Sequence, residues 1–240
     1  MDRDISIFTK GLRELNIELD DSKIKQFIDF YEMLVEKNKV MNLTAITEYD
    51  EVVVKHFLDS ISIGKYVDFK EGQTIIDVGT GAGFPGIPLK IAFPMINATL
   101  LDSLNKRIKF LEEVRDALEL DKLNMIHGRA EDYGQDTNYR EKYDYCVSRA
   151  VANMSTLAEY CLPFVKVGGY FVSYKSGNIE EELNNAKSAL KILGAKVEKV
   201  ESFILPDSDI SRSLVFIKKI EPMKKKYPRK AGLPSKEPLA

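Results

Sequence analysis

Apolar residues in the first part of the chain recur at helical intervals. Ile24, Phe27, Ile28, Tyr31, Leu34 and Val35 fall on one helix face. Asp20, Asp21 and Ser22 offer caps at its start. A second helix is predicted from Thr47 towards Tyr66, because Thr47 and Asp50 have capping-box spacing. The polar-apolar junction Met41-Asn42-Leu43-Thr44-Ala45 joins the two. Residues 1–66 therefore read as a helical region packed on the core. Beyond residue 67 the period changes. Short β-branched or apolar runs at 74–78, 98–101, 123–126, 143–147 and 170–174 alternate with helices from about 86 and over 104–118, 154–162 and 180–193. A turn is expected at Gly168-Gly169. Such alternation predicts a doubly wound α/β sheet, parallel, with helices on both faces. Two last runs, 196–204 and 213–217, have no helix between them and predict an antiparallel hairpin at one edge. Residues 67–220 form the sheet domain and 221–240 a tail.

The chain has 240 residues, 44% hydrophobic and 30% charged, enough for one domain with a small appendage. No signal-peptide pattern follows the N-terminus, and no apolar run approaches the ~20 residues of a membrane span. Two cysteines, Cys146 and Cys161, exclude a disulfide framework and fit a reducing cytoplasm. With two histidines besides, no metal site is expected. Charge is uneven: residues 221–240 carry six basic and two acidic side chains, leaving 29 basic against 35 acidic in the body. A basic tail on an acidic body points to a polyanionic partner, or to a solubilising disordered tail.

The strongest motif is Ile75-Ile76-Asp77-Val78-Gly79-Thr80-Gly81-Ala82-Gly83-Phe84-Pro85-Gly86, a strand running into glycines and then a helix. Glycines there permit a sharp turn and close approach of a ligand to the backbone. Gly81, Gly83 and Gly86 match a dinucleotide fingerprint, and Gly79, Gly81 and Gly83 match the methyltransferase form. Asp102, 23 residues after Gly79, suits ribose hydroxyls in either case. Asp77 favours S-adenosyl-L-methionine, since an acid suits its amino group and sulfonium and repels a pyrophosphate. No hydride-transfer substrate domain follows. A methyltransferase is thus expected, acting on RNA or, alternatively, on a small molecule or protein, with a nicotinamide-dependent oxidoreductase as the reading from another class.

Ligands of such sheets bind at the carboxyl ends of strands. Ala130 and Glu131, after the third strand, would face the adenine. Ser148-Arg149-Ala150, after the fourth, is where the methyl acceptor belongs, and Arg149 would hold a cofactor carboxylate, a phosphate or a base, or else form a structural ion pair. Cys146 and Cys161 read as core residues, so no thiol nucleophile is expected. Position 148 starts no Asp/Asn-Pro-Pro-aromatic motif of amino-group methylation. A ring nitrogen with an in-plane lone pair needs no base, which agrees with the absence of an evident one. His56 reads as a core or interface histidine, and Lys175 as a phosphate contact or a plain surface lysine.

Together and in this order, Met41 to Ala45, His56-Phe57-Leu58-Asp59-Ser60, Asp77 to Pro88, Arg129-Ala130-Glu131, Ser148-Arg149-Ala150 and Tyr227-Pro228-Arg229-Lys230-Ala231-Gly232-Leu233-Pro234 resemble the ribosomal RNA small subunit methyltransferase G family, also called glucose-inhibited division protein B. The resemblance covers nearly the whole chain. It implies a Rossmann-like class I methyltransferase in the cytoplasm that methylates N7 of a guanine, commonly numbered 527, in 16S rRNA of the small ribosomal subunit. Neither DNA nor membrane is expected as a partner, and a monomer is expected. Carried over by motif, Gly79, Phe84, Ala130, Glu131 and Arg149 would contact S-adenosyl-L-methionine, with Asp102 at its ribose. Arg149 and the tail would face RNA.

Overall fold

A computed structural model describes residues 3–177 and 179–240. Seven strands form one sheet in the order β3-β2-β1-β4-β5-β7-β6. They are β1 Thr74–Val78, β2 Asn97–Asp102, β3 Leu123–His127, β4 Tyr143–Ser148, β5 Val165–Ser176, β6 Ala195–Ile204 and β7 Ser211–Lys219. The first five run parallel, and β7 inserts antiparallel between β5 and the edge strand β6. The hairpin expected at one edge is therefore present, with its second strand on the inside. The Gly168-Gly169 turn is not: β5 runs through both glycines. Gly168 accommodates this at φ 88°, and a Cβ on Gly169 would lie 2.6 Å from the Asp144 carbonyl oxygen. The two glycines let the strand press against β4, which is an irregularity and not a chain reversal.

Helices α1 (Ser6–Leu15) and α2 (Asp21–Met41) cover one end of one sheet face. Asp20 caps α2 by accepting from the Lys23 amide at 2.9 Å. The buried face of α2 is Phe27, Phe30, Tyr31 and Leu34, while Ile24 and Val35 are only half buried. The third helical stretch starts at Tyr49 (α3, Tyr49–Val52), widens into a π-helix over Val53–Leu58, resumes as α4 (Asp59–Ile61) and closes as a 3-10 turn over Ser62–Lys65. The capping box expected at Thr47 is absent. Glu48 is the N-cap and makes no side-chain cap bond, and the Thr47 carbonyl instead accepts from the Tyr31 hydroxyl at 2.9 Å.

Phe8, Phe27, Phe30 and Phe57 pack ring against ring at 4.9–6.2 Å and reach Phe84, whose centroid lies 5.4 Å from Phe30. The helical region thus grips the turn after β1. Helices α5 (Gly86–Ala92) and α6 (Asn105–Ala117) share this face, whereas α7 (Met154–Cys161) and α8 (Glu180–Ile192) cover the other.

The basic C-terminal segment is not a free tail. Met223 and Tyr227 are buried in the second core cluster. The Arg140 guanidinium donates to the carbonyls of Gly134, Met223, Lys224 and Tyr227 at 2.7–3.3 Å, and the Gln135 amide to those of Lys225 and Pro228. A side chain that satisfies several carbonyls fixes the backbone of an otherwise irregular stretch.

Candidate active site

The strand order reverses between β1 and β4, and the loops at their carboxyl ends face each other there. The Ser148 hydroxyl donates to the Val78 carbonyl at 2.8 Å and fastens the two strand ends together. Beside this seam lies a cleft of about 620 Å³ lined by Val78, Gly79, Asp102, Ala130, Glu131 and Ala150, among others. A second cavity of about 690 Å³ shares Ala150 with it and is lined by His56, Asp59, Arg149, Lys175 and Arg212, with Lys55 and Glu182.

The four glycines of the turn divide into two roles. Gly79 and Gly81 have φ of 76° and 63°, and a Cβ on either would meet nothing closer than 3.7 Å. They keep space open along the cleft. On Gly83 a Cβ would lie 2.7 Å from Ile87 and 2.8 Å from Leu111, and on Gly86 2.1 Å from Leu100. These two allow helix α5 to seat against the sheet.

Asp102 ends β2 and is 3% exposed. Its Oδ2 accepts from the Gly81 amide and its Oδ1 from the Leu104 amide, both at 2.9 Å, with Arg107 at 3.3 Å. The carboxylate thereby holds the glycine turn while its rim stays on the cleft. Asp77 lies behind the turn, 1% exposed. Its Oδ2 accepts from the Gly86 amide at 2.9 Å, whereas Oδ1 is buried without a hydrogen-bond partner. Burial pushes its carboxyl up to about 7, against the opposing pull of the Gly86 amide and the Arg149 charge. A deeply buried acid with an orphan oxygen, directly behind a turn that leaves room for a ligand, suits a cationic ligand and disfavours an anionic pyrophosphate. The residues present thus fit S-adenosyl-L-methionine.

Of the residues singled out from the sequence, Gly79, Asp102, Ala130 and Glu131 line the cleft. Asp77 lies behind the turn and Gly81 and Gly83 within it, and none of the three is among the cleft-lining residues. Phe84 and Arg149 stand apart. Phe84 is 6% exposed and stacks on His56 at 4.5 Å within the aromatic cluster. Arg149 lines the second cavity, donating from Nη1 to Asp59 Oδ2 (2.9 Å) and the Lys55 carbonyl (3.0 Å). Asp59, buried at 3% exposure, also accepts from Arg212 Nε at 3.1 Å. Arg149 Nη2 lies 3.1 Å from His56 Nδ1, and His56 Nε2 lies 3.0 Å from the Thr44 hydroxyl. Burial and the Arg149 charge push His56 down to about 3, so the ring is neutral. Nδ1 lies 3.1 Å from the Lys55 carbonyl as well, so the neutral ring is held on both nitrogens. His56 is thus part of the lining of the second cavity as well as of the packed aromatic cluster. The π-helical widening at Val53–Leu58 brings Lys55, His56 and, just beyond it, Asp59 together on Arg149.

Lys175 is no free surface lysine: its Nζ donates to the Ala152 carbonyl and to Glu182, both at 2.7 Å. Cys146 and Cys161 are fully buried and free, away from both cavities. Sequence reasoning missed Arg107, Tyr160, Gly232 and Ser235 on the cleft, and Asp59 and Arg212 on the second cavity. Arg107 was within reach, since it sits in the first turn of α6 five residues beyond Asp102. Arg212 and Gly232 were not, because only the tertiary fold brings them in. Among the described residues no group of three metal-binding side chains occurs, and no helix is long and apolar enough to cross a membrane.

A glycine-walled cleft at the switch point of this sheet, with a basic cavity adjoining it, defines a Rossmann-like methyltransferase. The fold is similar to that of TYW2 from M. jannaschii, solved in complex with AdoMet, with TM-score 0.51 and 15% identity over 63% of this chain and 71% of that one. The sequence profile of GidB, rRNA small subunit methyltransferase G, matches residues 23–214. The chain is 54% identical to the ribosomal RNA small subunit methyltransferase G of Lachnoclostridium phytofermentans, covering 99% of this chain and 98% of that protein. It is 56% identical to that of Alkaliphilus oremlandii, over 97% and 98% respectively. The chain belongs to the rRNA small subunit methyltransferase G family.

Proposed function

We propose that the protein transfers the methyl group of S-adenosyl-L-methionine to N7 of a guanine, position 527, in 16S rRNA of the small ribosomal subunit. The observation that carries this reading is the meeting of two cavities at Ala150, one walled by glycines and acids, the other by Lys55, Arg149, Lys175 and Arg212. The cofactor supplies an electrophilic methyl on a positively charged sulfur. Gly79 lets it approach the backbone, Asp102 meets the ribose, and Ala130 and Glu131 meet the adenine. Asp77 offsets the cationic groups near the turn through the field of a buried carboxylate. Four cations against Asp59 and Glu182 leave the second cavity net positive, which suits a nucleotide with its phosphates. The target base must be splayed out of its loop to enter it.

N7 carries an in-plane lone pair and loses no proton, so the chain needs only to position it. Neutral His56, locked between Arg149 and Thr44, is a spacer in that wall and not a base. Arg149, held by Asp59, is the residue of the acceptor side we assign to catalysis, by orienting the base against the methyl. The enzyme acts as a cytoplasmic monomer, where the small subunit is assembled. Incubating isolated 30S particles from a strain lacking the gene with labelled cofactor, then mapping 7-methylguanosine, tests the reading. Label at one guanine of 16S rRNA is expected. Label on protein, on another rRNA atom, or none at all refutes it.

A further inference from the structure

The C-terminal strap does more than cover the sheet. Gly232 and Ser235 line the cofactor cleft beside Tyr160. The Gly232 amide donates to Glu131 Oε1 at 2.8 Å, so the carboxylate assigned to the adenine is itself held by the strap. Upstream, Arg229 is locked to Glu159. Its Nε and Nη2 donate to the two carboxylate oxygens at 2.7–3.1 Å, and its own amide donates to Oε1 at 2.8 Å. Glu159 is 0% exposed. Downstream, the Thr156 hydroxyl donates to the Pro234 carbonyl at 3.1 Å. Arg229, counted in the sequence among the residues of a basic tail that would face RNA, is thus consumed in a buried ion pair. Lys224, Lys225, Lys226 and Lys230 remain exposed on the same strap.

We infer that residues 231–235 are a wall of the cofactor cleft, and that the Arg229–Glu159 lock sets cofactor affinity by keeping this wall seated. The inference rests on the reading of the cleft as the S-adenosyl-L-methionine site. Its physical basis is preorganisation. With the strap seated, Glu131 is fixed and the cleft closed on the Tyr160 side. With the strap loose, both must be ordered again whenever the cofactor binds. Arg229 and Glu159 touch no ligand and are positioning residues. A consequence follows from linkage. A polyanion that engages the four exposed lysines restrains the strap in its seated position and tightens cofactor binding, and the cofactor tightens RNA binding by the same factor.

Calorimetric titration of S-adenosylhomocysteine into the full chain tests this. Arg229→Lys keeps the charge and loses the fork that grips both oxygens of Glu159. Termination after Lys230 removes the wall and leaves the lock. Each is expected to weaken binding about tenfold, the worth of one or two charge-assisted hydrogen bonds. Changing Lys224, Lys225, Lys226 and Lys230 together to Gln leaves affinity unchanged without RNA. Adding 16S rRNA tightens cofactor binding in the wild type and not in this variant. Should the truncated chain fail to melt cooperatively, Arg229→Lys decides. Wild-type affinity in Arg229→Lys overturns the lock, and an rRNA-independent affinity in the wild type overturns the coupling. A wild type that binds no S-adenosylhomocysteine overturns the cofactor reading itself.

Discussion

Replacing Asp77 by Asn removes one titrating proton from a site 1% exposed and keeps the shape of the side chain. The Asn carbonyl can still accept from the Gly86 amide, and its NH2 replaces the oxygen that has no partner. The carboxyl has moved from 3.8 to about 7. At roughly 1.4 kcal/mol per unit, the free protein carries a penalty of about 4 kcal/mol once the group ionises. A carboxyl raised on folding contributes stability that is complete below pH 3.8 and is lost as pH rises through about 7. His56 works in the opposite sense. Held down from 6.5 to about 3, it contributes stability present above pH 6.5 and lost as pH falls towards 3. Between these limits the two slopes cancel, so the wild-type contribution is nearly flat. In Asp77→Asn only the His56 slope remains, about 1.4 kcal/mol per pH unit between roughly pH 4 and 6.5. Urea unfolding of both proteins across this range measures it. The variant gains over the wild type by about 1 kcal/mol near pH 4.5 and about 4 kcal/mol near pH 8. The same variant binds S-adenosylhomocysteine more weakly, because the amino group loses its anion. A stability difference that does not change with pH refutes the argument.

The glycine roles separate by assay. Gly86→Ala drives a methyl into Leu100 and costs about 1–3 kcal/mol in urea unfolding, as overpacking does. Gly79→Ala has space, costs about 1–2 kcal/mol for its left-handed backbone, and shows its main loss in cofactor titration. Arg149→Ala strips Asp59 of one of its two cations and is expected to destabilise by about 2–4 kcal/mol, besides lowering turnover, as melting and methyl-transfer rates will show.

The strand-helix alternation and the glycine turn were readable because each depends on local signals: period, β-branching, and residues that tolerate positive φ. Strand limits failed at Gly168-Gly169, where glycines serve close strand contact and look in sequence like a turn. The helix face of α2 was read one position wide. Phe30, which joins the aromatic cluster, falls off the predicted stripe, while Ile24 and Val35 on it are only half buried. Charge was the weakest guide. It identified the C-terminal segment as basic but could not distinguish Arg229, paired with a glutamate 70 positions earlier, from the exposed lysines around it. Arg149 was legible as important. Its partner Asp59, and Arg212 on the same carboxylate, come together only because β7 lies beside β5 and the π-helical stretch turns towards β4.

The helical region lines the second cavity and reaches the cleft only through the turn after β1. Phe84 sits in the turn that frames the cofactor cleft, yet its ring is packed against Phe30 and Phe57, and its face against His56 and the Arg149 guanidinium, the latter at 5.1 Å. His56, Arg149 and Asp59 in turn wall the second cavity. One continuous packed unit therefore runs from α2, through the glycine turn, to the residues that wall the second cavity. Packed interiors respond to a lost ring as a whole, not at one atom. Shortening Phe30 to Leu leaves a gap against Phe57 and Phe84, which are 27 and 54 positions away in sequence but adjacent in space. A residue with no ligand contact can thus move both cofactor affinity and acceptor alignment, whereas a change in the strap should move cofactor affinity and its coupling to RNA, not acceptor alignment.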